Sequence, residues 1–335
     1  RGATLLPENM SYTVTQESFT GLNSYWTDSG NRLKWGSVFV LPPWLEVWWR
    51  EFQPGAELYL AVVRQQSDII GIAPLQLKEG KAFFVGSADV CDYMDFVIVP
   101  GREEDFFDVL LDDLRKKGIK TLDLRSLRPD STVVSSLVGM ARNRGYDVSC
   151  QPADVSVELD LPPAWDDYLG MLTTKQRHEV RRKLRRLGEM GGVDYRVVED
   201  RAVVREVMDD FLKLFTESRE DKAAFLTERM ESFFRAMAEV MAEVKLLKVG
   251  ILELEAVPLA MVTYFDYNGS IYLYNSGYSP EYRYLSVGLL SKALCIKDSI
   301  SKGKNRFDFL KGAEVYKYHL GGKEIPLYNC QIIIK

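Results

Sequence analysis

The chain has 335 residues, 46% of them hydrophobic and 12% aromatic, which is enough for roughly two globular domains of about 150 residues each. Its 43 basic and 48 acidic side chains give a net charge of −5, which does not favour non-specific binding to nucleic acids or anionic membranes, and DNA is not an expected partner. No apolar run reaches the roughly 18 residues of a membrane span. The first residues, RGATLLPENM, lack the pattern of a signal peptide, so we expect a cytoplasmic protein.

Cysteine and histidine are scarce, which limits the chemistry. The four cysteines form no CxxC pair, so we expect neither a structural zinc site nor a disulfide framework, and we expect all four to be reduced. Two histidines leave little room for a Ser-His-Asp or Cys-His mechanism. The chemistry is therefore expected to use Tyr, Asp, Glu, Lys, Arg and backbone groups, without a metal.

In the first half, apolar periodicity predicts alternating helices and strands. One strand is expected within residues 1–36, and a helix with an apolar stripe of tryptophans over 42–52. The elements that follow are strands over 57–64, 69–77 and 81–86, a helix over 105–117, a strand over 121–127, a helix over 131–144 and a strand over 154–162. A Pro-Pro pair follows, and we place the domains at 1–160 and 161–335.

The second half begins with a helical stretch over 165–192 and two further helices with apolar stripes, over 204–215 and 230–241. We interpret these stripes as core packing. The elements predicted next are strands over 244–253, 257–266 and 269–277, a loop over 278–286, a helix over 287–302 and a strand over 305–310. This order predicts an α+β fold with mixed, mostly antiparallel sheets flanked by helices.

The same pattern occurs in both halves. Residues 57–87 and 244–277 each contain three alternating apolar runs separated by turn residues. Residues 110–128 and 294–312 each contain the end of an amphipathic helix, a Lys-Gly turn and a short strand with one Asp. The repetition predicts two related domains in tandem, of which one has kept the chemistry.

The junction between the loop over 278–286 and the next helix is a candidate anion site. Free N–H groups and the positive end of a helix dipole favour a phosphate. Ser286, Val287 and Gly288 lie at the start of the helix, and Arg283 adds positive charge. A diphosphate would fit there. The alternative is an ordinary helix start capped by Ser286.

Polar residues are also concentrated after the last predicted strand. Asp308 lies near its end, and Glu314, Tyr316, Lys317 and His319 follow a Lys-Gly turn. Glu314 or His319 could take a proton from an amine, and Tyr316 could protonate a leaving thiolate. Lys317 could neutralise a phosphate or carboxylate. Asp308 is either a substrate contact or a buried structural carboxylate, since an Asp recurs at the same position of the first repeat.

A basic helix and an acidic loop are two further candidates. The helix over 173–187 carries seven Lys or Arg side chains, including Arg177, against one Glu, and could bind phosphates of a cofactor, an anionic substrate or RNA. The alternative is a solvated face paired with the acidic stretch 199–221.

In the acidic loop, Asp89, Asp92 and Asp95 could hold a cationic amine substrate, with Asp92 as the candidate contact, or could be structural.

The cluster after the last strand resembles a motif of the CelD/BcsL-type acyltransferases. These are bacterial GNAT-like proteins, often encoded with polysaccharide genes and similar in layout to the FemABX tandem GNAT proteins. The matching segment is FDFLKGAEVYK over 307–317. Further segments that resemble the family are 39–52, 71–75, 172–182 and 277–288. The resemblance covers nearly the whole chain and agrees with the repeat.

The resemblance implies two tandem GNAT-like domains that transfer an acyl group from acyl-CoA to nitrogen or oxygen of a small-molecule or glycan-precursor acceptor. It places Ser286–Gly288 at the pyrophosphate of CoA, and Glu314, Tyr316 and Lys317 at the reaction centre or acceptor site. The loop before Gly288 carries bulky residues where a typical GNAT loop offers small ones.

Three hypotheses follow. The first is direct acyl transfer without a covalent intermediate, with Glu314 as the base and Tyr316 as the acid. The second is transfer from aminoacyl-tRNA of the FemABX type, motivated by the basic helix. The third, motivated by the bulky loop, is a non-catalytic component of a polysaccharide biosynthesis system.

Overall fold

Residues 11–335 are described by the computed structural model. The described residues up to Asp154 form unit 1 together with Pro326–Lys335, and Val155–Ile325 form unit 2. The C-terminal strand therefore belongs to unit 1, although it follows unit 2 in the chain. The domain boundary after residue 160 remains a prediction. The expectation about a signal peptide concerns residues 1–10, which lie outside the described residues.

The elements up to the end of β7 alternate between helices and strands, as the periodicity predicts. In chain order they are β1 (Tyr12–Gln16), α1 (Phe19–Thr27), α2 (Pro42–Phe52), β2 (Glu57–Gln65), β3 (Asp68–Lys78), β4 (Lys81–Phe84), β5 (Val97–Ile98), α3 (Glu103–Lys116), β6 (Thr121–Leu127), α4 (Val138–Asn143) and β7 (Asp147–Asp160).

The second half starts with helices and continues with a strand meander. In chain order the elements are α5 (Trp165–Met171), α6 (Thr174–Gly188), β8 (Val193–Val198), α7 (Arg201–Ser218), α8 (Glu220–Phe225), α9 (Glu228–Glu243), β9 (Leu247–Leu254), β10 (Val257–Tyr267), β11 (Ser270–Tyr278), α10 (Val287–Ser301), β12 (Arg306–Lys311), α11 (Val315–His319) and β13 (Lys323–Ile333).

Each unit contains the repeat that the sequence predicts. In unit 1, β2, β3 and β4 form an antiparallel meander, and α3 leads to β6, which pairs with β4 in parallel. In unit 2, β9, β10 and β11 form the same meander, and α10 leads to β12, which pairs with β11 in parallel. The predicted α+β plan of two tandem domains with mostly antiparallel sheets is confirmed.

The core of unit 2 fixes the position of β12. Phe307 and Phe309 of this strand are buried and pack with Tyr168 of α5 and Ile296 of α10. The two phenyl rings lie 5.0 Å apart in an edge-to-face arrangement. Burial of this aromatic pair holds the end of β12, where the polar cluster begins.

Six elements are missing from the sequence prediction, and one predicted helix is divided. The missing elements are α1, β5, α8, β8, α11 and β13. The helical stretch over 165–192 is two helices, because Thr173 begins α6 with a capping box. Its hydroxyl accepts a hydrogen bond from the Gln176 N–H at 3.2 Å, and the Gln176 side chain accepts one from the Thr173 N–H at 3.1 Å.

The prediction that all four cysteines are reduced is wrong for one pair. Cys150 and Cys330 form a disulfide, whereas Cys91 and Cys295 are free and buried. The two bonded cysteines are 180 residues apart in sequence, on the neighbouring strands β7 and β13. The sequence spacing of the two cysteines therefore gives no sign of the disulfide. The bond can form because the C-terminal strand returns to unit 1.

Candidate functional site

The strands β11 and β12 diverge after a short parallel pairing, and the space between their ends is the candidate site, here called the gap. Ser270–Tyr272 pair with Arg306–Asp308, and the described structure shows no pairing of the two strands beyond these residues. Two bulges accompany the divergence. Tyr274 is the extra residue of β11 opposite β10, and Phe309 is the extra residue of β12 opposite β7. Because a bulge bends its strand, the two strand ends separate.

Asp308 stabilises the bent end of β12. Its side chain is fully buried, and its carboxylate accepts a hydrogen bond from the Leu310 N–H at 2.8 Å. Leu310 has a φ of 63°, in the left-handed region that a leucine rarely adopts. This contact favours the structural alternative for Asp308 over a substrate contact.

Lys317 holds the turn that follows β12. Its side chain is 2% exposed, and its Nζ donates to the carbonyls of Leu310 at 3.2 Å, Lys311 at 2.9 Å and Gly312 at 3.0 Å. The same Nζ lies 2.8 Å from Oε2 of Glu314. Its Nζ is therefore surrounded by partners within the protein and positions Glu314, and its role in substrate binding stays a prediction.

Glu314 and Tyr316 are close to each other, and their environments differ. Partial burial raises the pKa of Glu314, but the hydrogen bond and charge of Lys317 outweigh it and leave that pKa below its ordinary value. Burial, and secondarily the charge of Glu314, raises the pKa of Tyr316 far above its ordinary value. At neutral pH the arrangement therefore offers a carboxylate and a protonated phenol next to each other.

Lys292 of α10 belongs to the same cluster, and sequence reasoning missed it. Its side chain is 6% exposed, and its Nζ lies 4.4 Å from the centroid of the Tyr316 ring and donates to the Gly288 carbonyl at 2.9 Å. Burial, and then repulsion from Lys222, lowers the pKa of Lys292 to about 7. A lysine among the buried positions of a helix is the sequence sign that could have found it.

Lys222 of α8 is the second missed lysine. Its Nζ donates to the carbonyl of Ser276, on the part of β11 that has left β12, and lies 5.0 Å from the centroid of the Phe215 ring. Burial, and then repulsion from Arg219, lowers the pKa of Lys222 to about 8. Because α8 is a short helix absent from the sequence prediction, nothing in the sequence pointed to this position.

The start of α10 presents free backbone groups. Ser286 has a φ of 55° and makes no side-chain capping hydrogen bond, so the alternative of an ordinary Ser-capped helix is not what the structure contains. The Val287 side chain is fully buried, which leaves only its N–H for a ligand. Gly288 is linked to Tyr316 through Lys292, and Arg283 is exposed in the turn before the helix. The structure thus places Lys292 between Gly288, at the start of α10, and Tyr316.

The basic helix α6 keeps most of its charge unpaired. In the described part of the chain, its ion pairs are those of Glu179 with Arg182 and Lys183, and none reaches the acidic stretch 199–221. The helix packs against α10 and against the turn over 280–285. At its start, the Gln176 side chain donates to the carbonyl of Tyr318 at 3.4 Å, so Arg177 lies near the polar cluster.

Aromatic side chains lie next to this helix, although its own sequence has none. Tyr282 and Tyr284 stack with ring centroids 6.4 Å apart, and the Arg186 guanidinium lies 5.9 Å from the centroid of the Tyr284 ring. Tyr284 is 54% exposed. Exposed tyrosines beside cations form a surface on which a base or an adenine ring could stack.

The acidic loop belongs to unit 1 and has local roles. Asp95 accepts hydrogen bonds from the Thr132 N–H at 2.9 Å and hydroxyl at 2.5 Å, and burial raises its pKa to about 6. Asp92 is half-buried and Asp89 is exposed. Within residues 11–335 no group of three or more His, Cys, Asp or Glu side chains is arranged to hold a metal ion. A role of Asp92 in substrate binding remains a prediction.

Replacing Lys317 tests how the site is held. We expect Lys317→Met to lower the free energy of unfolding by about 3 kcal/mol or more, because three carbonyls and the Glu314 carboxylate lose their partner. The part due to Glu314 is present above its ordinary pKa and is lost as the pH falls through its lowered pKa, so the difference in Tm narrows in acid. Lys323→Met, at an exposed position, is the control and should change stability by less than about 0.5 kcal/mol. Equal melting curves for the two variants would contradict this account.

Comparison with known proteins identifies one domain family within the chain. Residues 174–318 match the family model of the acetyltransferase (GNAT) domain. No curated protein matches the sequence significantly.

Of the described helices, each is either too short or too polar to cross a lipid bilayer.

Solved structures share the fold at low sequence identity. The structure of FemX has a TM-score of 0.66 at 11% identity, with 95% of this chain and 96% of that chain covered. A conserved protein of unknown function from Bacteroides thetaiotaomicron has a TM-score of 0.60 at 11% identity, covering 96% and 100%. L-PGS from Bacillus licheniformis has a TM-score of 0.51 at 12% identity, covering 87% and 90%. Residues 174–318 thus match the acetyltransferase (GNAT) domain, which supports a transferase, and the chain shares the fold of FemX.

Proposed function

We propose that unit 2 transfers an acyl group from acyl-CoA to an amine or hydroxyl in the gap between β11 and β12. The observation that carries this proposal is the convergence of Glu314, Tyr316 and Lys292 on the end of β12, beside the uncapped start of α10. Strand ends that separate expose backbone N–H and C=O groups, which can pair with an extended donor chain. The acyl carbon would then lie next to the polar cluster.

The start of α10 suits the diphosphate of CoA. The N–H groups of Val287, Gly288 and the following residue lack side-chain caps, and the dipole of a 15-residue helix adds positive charge there. Arg283 precedes the helix and is exposed to solvent. The bulky side chains of Leu285 and Val287 do not obstruct this surface, because both are buried in the core.

The chemistry follows from the two protonation states at the end of β12. The acceptor attacks the thioester carbonyl, and the C–S bond breaks as the tetrahedral intermediate collapses. Glu314 is held as a carboxylate by Lys317 and takes the acceptor proton once attack has made that proton acidic. Tyr316 keeps its own proton at neutral pH and gives it to the leaving thiolate. No covalent enzyme intermediate is needed, and proximity supplies much of the rate.

The acceptor and the biological setting follow from the motif. The segment FDFLKGAEVYK resembles the CelD/BcsL-type acyltransferases, which supports a small-molecule or glycan-precursor acceptor and a role in polysaccharide biosynthesis. A cytoplasmic location is part of this proposal. The disulfide between Cys150 and Cys330 argues against it, because thiols in that compartment are normally kept reduced.

Transfer from aminoacyl-tRNA is a second candidate, and the contact of Arg186 with Tyr284 favours it. The unpaired cations of α6 can bind a phosphate backbone, and the stacked tyrosines can receive an unpaired base. The surface adjoins α10, so a nucleotide bound there would direct its acyl end toward the gap.

Tyr316→Phe and Glu314→Ala should each lower kcat by about 100-fold or more, because each removes a group that moves a proton. The measurement is release of free thiol from an acyl-CoA in the presence of an acceptor amine. Tyr318→Phe is the matched control, since its hydroxyl binds Glu324 at 2.7 Å on the exposed side of the same helix. Unchanged turnover in both site variants would remove these roles.

The second candidate predicts tRNA binding that weakens steeply with salt. Replacing Arg181, Arg185 and Arg186 by Gln should lower the salt slope by about one for each lost phosphate contact. Arg201→Gln and Arg205→Gln on α7 are controls, because these exposed arginines are paired with Glu243 and Glu239. The readout is the affinity for unmodified tRNA over a salt series. Absent or salt-independent binding excludes this donor.

A further inference from the structure

Two lysines reach the gap from different elements, and both bind backbone carbonyls instead of carboxylates. Lys222 of α8 donates to the carbonyl of Ser276 at the end of β11. Lys292 of α10 donates to the carbonyl of Gly288 in the first turn of its own helix. The proposed acyl transfer uses neither lysine to move a proton, since both proton transfers are assigned to Glu314 and Tyr316.

Lys292 is influenced by more positive than negative side chains. The groups that act on it are the cations of Lys222, Lys317 and Arg219 and one carboxylate, Glu314, and its Nζ lies against the ring of Tyr316. The carboxylate is already engaged, because it lies 2.8 Å from Nζ of Lys317. Among residues 11–335, Lys292 therefore has no acidic partner of its own, although its side chain is almost completely shielded from solvent.

The carboxylates near Lys222 are likewise paired with other cations. The groups that act on it are Arg219, Asp221 and Glu314. Asp221 is held by Arg219 at 2.7 Å, and Glu314 is held by Lys317. Each nearby carboxylate is thus paired with another cation. Two ammonium groups in one poorly solvated place repel each other unless an anion lies between them.

We propose that Lys222 and Lys292 form a binding site for an anionic oxygen group, a carboxylate or a phosphate, that the substrate carries close to the reacting atoms. This inference names a substrate class for the site of the proposed function and rests on that function for the use of the ligand. Without the anion, burial and repulsion favour the uncharged form of these lysines, of Lys292 more than of Lys222. A bound anion favours the ammonium form of both, so binding near neutral pH takes up protons from solution.

The protonation of the two lysines can be observed directly in the full-length protein. We would label lysine with ¹³C at Cε and follow the Cε resonances over a pH series, assigning them with Lys222→Met and Lys292→Met. Without added anion, the midpoints should be about 8 for Lys222 and about 7 for Lys292. Adding inorganic phosphate or acetate should raise both midpoints by about one unit or more. The anion that gives the larger shift identifies a phosphate or a carboxylate as the recognised group.

Two lysine variants test the anion site without any measurement of acyl transfer. Lys292→Met should abolish the anion-dependent shift of Lys222 and leave the melting curve unchanged or raised, since an unpaired buried ammonium is replaced by an apolar chain. Lys297→Met, at an exposed position of the same helix, should leave the shift intact. Midpoints that neither anion moves would overturn the proposal, as would equal shifts in the wild type and Lys292→Met. No acyl donor is present in these measurements, so a failure of acyl transfer would not affect their result.

Discussion

The ammonium group of Lys317 binds three consecutive carbonyls after β12 and the carboxylate of Glu314, and the geometry of the candidate site depends on these contacts. They fix the turn at which β12 leaves β11, and they keep Glu314 ionised. Burial of the neighbouring aromatic pair, Phe307 and Phe309, anchors the same strand in the core of unit 2. The divergence of the strands is thus held by one buried cation and one hydrophobic contact.

Positive charge is concentrated around the gap, although the whole chain has a net charge of −5. Lys222 lies at the end of β11, Lys292 lies beside Tyr316, and α6, which carries seven basic side chains, packs against α10. Diphosphates, carboxylates and nucleic-acid backbones are all anionic, so this distribution suits any of the donors and acceptors considered. It favours a large or doubly charged substrate over a small neutral one.

The sequence predicted the features that depend on local pattern. The tandem repeat, the meander before α10 and the segment FDFLKGAEVYK follow from periodicity and motif, and they place Glu314, Tyr316 and Lys317 together. Features that depend on contacts between distant segments were missed. Lys222 reaches the end of β11 only through the tertiary fold, and Cys150 and Cys330 are joined across neighbouring strands. Lysines in helices are usually solvated, so the position of Lys292 among the apolar residues of α10 was the one sequence sign of its burial, and Lys222 had none.

Native mass spectrometry of the full-length protein with a panel of acyl-CoAs tests the central claim that the gap and the start of α10 form one acyl-donor site. The account predicts one bound acyl-CoA per chain, and weaker binding of the matching acyl-pantetheine, which lacks the diphosphate that α10 would hold. A chain that binds no member of the panel would contradict the assignment of acyl-CoA as the donor.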